Sequence, residues 1–95
     1  MTISEKRGTI FYQIKEVLHD WDINWKKIND VKDPHEKTIT FYIHLWSDYD
    51  SNDVEAALEE VCENWDMDSW WDDEDDDVYV LECDYPENRK SGVIS

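Results

Sequence analysis

The chain has 95 residues, enough for a single domain with one hydrophobic core. Forty per cent of the residues are apolar and 14% are aromatic, which argues against a disordered chain. The net charge is −16 at pH 7. Nucleic acid and anionic membranes are therefore poor direct ligands, whereas a basic protein or a metal cation would complement this charge.

The acidic residues are concentrated in the second half of the chain. Residues 1–45 hold seven basic and seven acidic residues, whereas residues 46–95 hold two basic and eighteen acidic residues. No lysine or arginine occurs between Trp46 and Glu87. The carboxylates of this segment therefore lack basic neighbours along the chain and repel one another at low ionic strength.

Targeting and redox signals are weak. The N-terminal segment lacks the apolar stretch of a signal peptide, and no later segment approaches the run of about 18 apolar residues that indicates a membrane span. We therefore expect a cytoplasmic protein. Cys62 and Cys83 lack C-x-x-C spacing, so we expect two buried thiols rather than a zinc site or a disulfide.

The first half predicts a helix and two strands. Apolar residues at helical spacing predict a helix over about residues 9–20, with a strand as the alternative, after a frayed start at residues 1–7. Residues 22–31 indicate an irregular strand, and the Asp-Pro pair in residues 32–37 indicates a turn. Residues 37–46 alternate as a second strand. Its core face holds Ile39, Phe41, Ile43 and Leu45.

The second half predicts a helix, an acidic loop and a strand. Apolar residues three and four positions apart predict an amphipathic helix over residues 53–65, with Cys62 in its buried stripe. Asn52 is the expected N-cap, because Glu55 follows it as in a capping box. Residues 66–77 form the acidic loop, residues 78–85 alternate as a final strand, and residues 87–95 should be frayed.

The element order α-β-β-α-β predicts an α+β domain of two layers, with both helices on one face of a mainly antiparallel sheet. This order is ferredoxin-like without its first strand, for which Thr2 and Ile3 could supply only a vestigial edge strand. Tyr42, His44 and Trp46 then share the face away from the helices. A homodimer that covers this aromatic patch is an open alternative to a monomer.

An EF-hand-like pattern occurs at residues 48–59, where Asp48, Asp50, Asn52 and Glu59 match loop ligands. The match is incomplete, because Asp53 stands where the sharp turn of the loop needs glycine and a strand precedes the segment. We therefore predict no specific metal site and no cofactor. A divalent-metal-binding module is the least favoured function.

Catalytic motifs are missing from the sequence. It contains no H-E-x-x-H, no G-x-S-x-G and no P-loop, and only two glycines. His19, His35 and His44 are widely scattered, and adjacent exposed carboxylates do not hold an acid and a base at a set separation. We therefore expect no enzymatic activity.

The acidic half differs from an ordinary solvated surface. Glu55, Glu59 and Glu63 lie at i, i+4 and i+8 without lysine, although each like-charge pair costs about 0.2–0.5 kcal/mol. Asp66 and Asp68 crowd the C-terminal end of the predicted helix, where the macrodipole disfavours carboxylates. An arrangement that opposes folding in this way indicates a binding surface.

Two tryptophans interrupt the acidic loop, and aromatic residues at a charged surface are typical of protein interfaces. They either close the small core or contact a partner. The predicted partner-binding residues are Glu55, Glu59, Glu63, Asp66, Asp68, Trp70, Trp71, Asp72, Asp73, Glu74, Asp75, Asp76, Asp77, Glu82 and Asp84. They lie on helix 53–65, on loop 66–77 and on the acidic edge of strand 78–85.

A dense array of carboxylates imitates the phosphates that basic proteins bind. In composition, although not in any motif, the chain resembles the small acidic inhibitors made by phages, which include anti-restriction, anti-CRISPR and uracil-glycosylase inhibitor proteins. We predict a non-enzymatic protein that occupies the basic groove of a nuclease or another nucleic-acid-binding protein. The alternative is an immunity or antitoxin-type protein that neutralises one cognate basic nuclease.

Overall fold

The computed structural model describes residues 2–86 of the chain. Its elements are α1 (Ile3–Asp20), β1 (Trp25–Asp33), β2 (Thr38–Leu45), α2 (Ser51–Trp65), β3 (Asp68–Trp71) and β4 (Val78–Asp84). The four strands form one antiparallel sheet in the order β1-β2-β4-β3. The helices pack against each other over one face of this sheet, and the predicted α+β fold is confirmed.

A single core lies between the helices and the sheet. The side chains that are inaccessible to solvent include Ile10, Ile14 and Leu18 of α1, Phe41 of β2, Leu58 of α2 and Leu81 of β4. The predicted core face of β2 is confirmed, because all four of its residues are fully buried. Neither α1 nor α2 combines the length and the hydropathy that a membrane-crossing helix needs.

The other face of the sheet carries the alternate residues of each strand, and we call it the open sheet face. Val31, Tyr42, Val80, Trp70 and Glu82 share it, since the strand register places them between residues that point to the core. Val31 and Trp70 are exposed there, at 50% and 43%. Of the aromatic face predicted on β2, Tyr42 and His44 lie on the open sheet face, whereas Trp46 follows the last residue of the strand.

The predicted frayed start is wrong for residues 3–7, which form the first turns of α1. Thr2 is the N-cap: its side chain accepts a hydrogen bond from the backbone of Glu5, while the Glu5 carboxylate accepts one from the Thr2 N–H. Because Thr2 and Ile3 begin a helix, they form no edge strand. The predicted frayed segment 87–95 lies outside the described residues.

The predicted loop 66–77 contains a strand that the sequence pattern did not indicate. Strand β3 pairs antiparallel with β4, from Asp68 opposite Glu82 to Trp71 opposite Tyr79. It places β4 between β2 and β3 in the sheet. The strand has only four residues, two with polar side chains followed by two tryptophans. Such a short segment does not show the alternation by which a strand is recognised.

Helix α2 begins two residues earlier than predicted, and Asp50 rather than Asn52 is its N-cap. Oδ1 of Asp50 accepts hydrogen bonds from the backbone N–H groups of Asn52 and Asp53, at 2.9 and 3.3 Å. Aspartate and asparagine are about equally good caps, so their order in the sequence does not identify the capping residue.

This assignment of the cap predicts the effect of removing it. Replacing Asp50 with Ala should lower the free energy of unfolding by about 1 kcal/mol, whereas Asp50→Ser, which retains a capping oxygen, should change it much less. Asn52→Ala is the matched control and should have a smaller effect than Asp50→Ala. Urea denaturation measures all three, and a larger loss from Asn52→Ala would contradict the assignment.

Candidate functional site

The carboxylates of α2 form a row beside strand β3. Glu55, Glu59 and Glu63 are exposed. Each is the fourth residue after the previous one, which corresponds to a rise of about 6 Å along the helix axis. Nε1–H of Trp71 donates to Oε2 of Glu55 over 2.7 Å, which places this row next to β3. Asp66 ends the helix with φ 54° and ψ 55°, a left-handed conformation that aspartate tolerates.

The acidic segment 72–77 joins β3 to β4 as a hairpin loop. The backbone N–H of Asp72 donates to the carbonyl of Val78, and Oδ1 atoms of Asp72 and Asp75 accept bonds from the backbone of residues 74 and 77. The carbonyl of Asp77 also accepts a bond from the backbone of Leu45 at 2.8 Å. These bonds hold the carboxylates of the loop beside one another in a defined geometry.

Tyr49 fixes the hairpin loop from outside, a role that sequence reasoning missed. Its hydroxyl donates to the Asp76 carbonyl over 2.7 Å, and its ring stacks on Trp71 with centroids 5.3 Å apart. Loss of solvent, followed by the charges of Asp77 and its neighbours, raises the pKa of Tyr49 and keeps the hydroxyl protonated. The contact spans 27 residues, so no local sequence signal reveals it.

The two tryptophans of β3 point to opposite faces of the sheet. Trp71 is half-buried on the helix side, where it packs edge-on against Tyr79 at 4.7 Å and hydrogen-bonds Glu55. Trp70 is 43% exposed on the open sheet face. Trp71 therefore closes the core, the first of the two alternatives that the sequence left open, whereas Trp70 does not.

The predicted binding residues divide into two surfaces that meet at β3. We use the name acidic surface for the row of three carboxylates on α2 described above, the C-cap carboxylate that follows it and the carboxylates of the hairpin loop. This surface consists of Glu55, Glu59, Glu63, Asp66, Asp72, Asp73, Glu74, Asp75, Asp76 and Asp77. Asp68, Glu82 and Asp84 belong instead to the open sheet face, because they pair across the sheet with non-core positions.

No basic side chain neutralises the acidic surface within residues 2–86. The ion pair that forms in this part of the chain joins Arg7 of α1 to Asp30 of β1 at 3.2 Å, away from the acidic surface. The last turn of α2 contains no basic residue. Within residues 2–86, no ion pair therefore offsets the charge of this surface.

The described residues contain no group of three or more histidine, cysteine or carboxylate side chains that could hold a metal ion. The EF-hand-like segment cannot close around an ion, because residues 51–59 are helical and Asp50 caps that helix. Asn52 and Glu59, two of its supposed ligands, therefore lie on α2 rather than in a loop.

The two cysteines are buried and free, as predicted. Burial raises the pKa of Cys62, a hydrogen bond from Ser69 lowers it, and the charge of Asp68 raises it further. Burial also raises the pKa of Cys83. Both groups therefore remain neutral thiols at neutral pH and are poor nucleophiles.

The opposite placement of the tryptophans predicts unequal effects on stability. Trp71→Ala should lower the free energy of unfolding by about 2–4 kcal/mol, because it removes packed core contacts and the bond to Glu55. Trp70→Ala should cost less than about 1 kcal/mol. Urea denaturation at neutral pH compares them, and equal losses would show that the two side chains are not divided between core and surface.

The raised thiol pKa values predict a loss of stability in alkali. Above about pH 8.5 the unfolded chain releases thiol protons that the folded state still holds, so the free energy of unfolding falls as pH rises towards the folded-state pKa values. Below about pH 8.5 both states hold the thiol protons, so the two thiols cause no loss of stability there.

The measurement is urea denaturation under reducing conditions at about pH 7 and about pH 10. The decline between the two should be smaller for the double variant Cys62→Ala/Cys83→Ala than for the unaltered chain. An identical decline in both proteins would assign the pH dependence to other groups.

Comparison with known proteins gives no relative for this chain. No family model matches it, and no match was found among curated proteins or among solved structures. Its function is therefore inferred from the chemistry of its surface.

Proposed function

We propose that this protein is a non-enzymatic inhibitor that imitates the charge of nucleic acid and occupies the basic groove of a nuclease or another nucleic-acid-binding protein. The observation that carries the proposal is the acidic surface, ten carboxylates on α2 and the hairpin loop without a basic partner in residues 2–86. A cytoplasmic location, where such targets work, is part of the proposal.

The density of charge supports this assignment. One strand of B-DNA carries a charge about every 3.4 Å along its axis, whereas the row on α2 carries one about every 6 Å. The hairpin loop raises the density, because its residues 72–77 are six consecutive acids. Helix and loop together present a field that attracts Lys and Arg side chains and accelerates association with a basic groove.

The fixed geometry of the loop also favours binding. Tyr49, Trp71 and the backbone bond to Leu45 hold the loop in place before a partner arrives. A partner therefore does not have to order these charges, and the corresponding entropy is not lost on binding.

A specific observation also favours the second candidate, an immunity-type protein that neutralises one cognate basic nuclease. Trp70 is an exposed aromatic side chain beside the acidic surface, and such residues are often the anchors of protein interfaces. The two candidates differ in salt dependence. Charge imitation predicts binding that weakens steeply with salt, whereas anchoring predicts binding that salt changes little and Trp70→Ala abolishes.

Purified targets test the proposal directly. We expect the protein to inhibit at least one member of a panel that includes a restriction endonuclease, a Cas9–guide RNA complex, uracil-DNA glycosylase and a basic ribonuclease. Nucleic acid should compete with it, and the association rate constant should fall about tenfold or more between low and moderate salt. Failure to inhibit or bind any panel member would count against the proposal.

Neutralised variants separate the acidic surface from total charge. The variant Asp72→Asn/Asp73→Asn/Asp75→Asn/Asp76→Asn should associate about tenfold more slowly, while its asparagines still provide oxygen acceptors for the turn. The matched control neutralises four acids elsewhere, as Glu16→Gln/Asp20→Asn/Asp22→Asn/Glu36→Gln. Equal slowing by both variants would show that only the net charge matters.

A further inference from the structure

The open sheet face has a small apolar centre. The strand register places Tyr42 opposite Val80 and Val80 opposite Trp70, so these three side chains form a row across β2, β4 and β3. Val80 is only 2% exposed. The helices do not account for this burial, because their buried residues belong to the core on the opposite face of the sheet. Tyr42 and Trp70 thus flank a buried floor, and Trp70 and Val31 remain accessible beside it.

Carboxylates surround one end of this centre. Asp68, Glu82 and Asp84 lie on the same face, beyond the Tyr42–Trp70 row. Lys27 of β1 lies at the opposite end of this face, and Nζ of Lys6 from α1 donates to the Asp84 carbonyl at 2.8 Å. Glu82 accepts a hydrogen bond from Thr40 at 3.2 Å but makes no ion pair within the described residues. An apolar centre with an acidic rim complements a partner surface that has an apolar centre and a basic rim.

Electrostatics disfavours a second copy of the chain as the occupant. Each chain carries a net charge of −16, so two copies brought together repel each other at low ionic strength. A basic partner gains from the same charges. The complementarity therefore selects a different protein rather than a homodimer.

The size of the face indicates how it is used. Four strands about 4.8 Å apart and about seven residues long form a face of roughly 400 Å² in projection. A specific interface buries about 800 Å² on each partner. A partner of that size can also contact the acidic surface, because Trp70 and Trp71 are adjacent residues on the two sides of β3.

We propose that the open sheet face around Tyr42, Val80 and Trp70 is a docking surface for the apolar, lysine- or arginine-rimmed face of a basic protein. This inference rests on the proposed function, in which the acidic surface engages the basic groove of that protein. The acidic surface supplies attraction at long range. The open sheet face supplies contacts that discriminate among basic partners.

Two synthetic peptides of equal charge test the docking surface without a known target. Acetyl-KLKLKLK-amide alternates basic and apolar side chains, whereas acetyl-KSKSKSK-amide is basic only. In ¹⁵N–¹H spectra of the full chain, the leucine-containing peptide (leucine peptide) should change the chemical shifts of the Tyr42 and Val80 amides and of the Trp70 indole. The serine-containing peptide (serine peptide) should change only the chemical shifts of residues in the acidic surface.

Variants identify the contacts. Trp70→Ala should weaken binding of the leucine peptide about tenfold or more and leave the serine peptide unchanged. Val31→Lys, which adds a cation at an exposed site without removing packed atoms, should weaken only the leucine peptide as well. Tyr12→Ala removes an exposed aromatic side chain from α1 and is the matched control with no expected effect.

Four outcomes would overturn the docking surface. In the first two, both peptides change chemical shifts only in the acidic surface, or Val31→Lys binds the leucine peptide with unchanged affinity. In the other two, sedimentation shows a dimer that Val31→Lys dissociates, or a chain ending at Pro86 binds the leucine peptide more tightly. The last two would make a second copy or residues 87–95 the occupant. Inhibition of a panel enzyme that survives both Trp70→Ala and Val31→Lys would leave the proposed function intact and remove only the docking surface.

Discussion

The structure depends on apolar burial that holds unneutralised carboxylates side by side. Two elements that display acids bury apolar residues on their other side: α2 exposes Glu55 and Glu59 while Leu58 is fully buried, and β4 exposes Asp84 while Leu81 is fully buried. Burying one such side chain contributes about 1.5–3 kcal/mol, whereas a like-charge pair at helical spacing costs about 0.2–0.5 kcal/mol. The free energy of apolar burial therefore exceeds the cost of repulsion, and the carboxylates produce a negative electrostatic potential around the protein.

An aromatic cluster connects that core to the hairpin loop. Tyr49 comes before α2, Trp71 ends β3 and Tyr79 belongs to β4. Nevertheless, Tyr49 stacks on Trp71 at 5.3 Å, and Trp71 packs edge-on against Tyr79 at 4.7 Å. The cluster joins the capped end of α2 to the hairpin, and its polar atoms reach Glu55, Ser69 and the Asp76 carbonyl. The geometry of the acidic surface is thus determined by a few rings packed at the edge of the core.

The acidic surface and the open sheet face adjoin at strand β3. Because successive residues of a strand point to opposite faces, Trp71 supports the acidic surface while Trp70 lies on the open sheet face. Charge acts over a distance of about 8 Å at physiological ionic strength, whereas apolar contact requires direct fit. In the function we propose, the carboxylates attract a partner first and the open sheet face then selects it.

The sequence by itself determined the α+β class, the core face of β2, the amphipathic α2 and the accumulation of acids without basic neighbours, because each depends on local periodicity or on composition. Only the tertiary structure decided that segment 68–71 is a strand, that Glu82 and Asp84 lie on a different face from the α2 row, and that Trp70 and Trp71 have separate roles. These features depend on pairing with β4 and on contacts such as Tyr49 with Asp76, between residues far apart in the chain. No local pattern encodes which strand will lie beside which, since hydrogen bonds between strands use backbone groups that every residue carries.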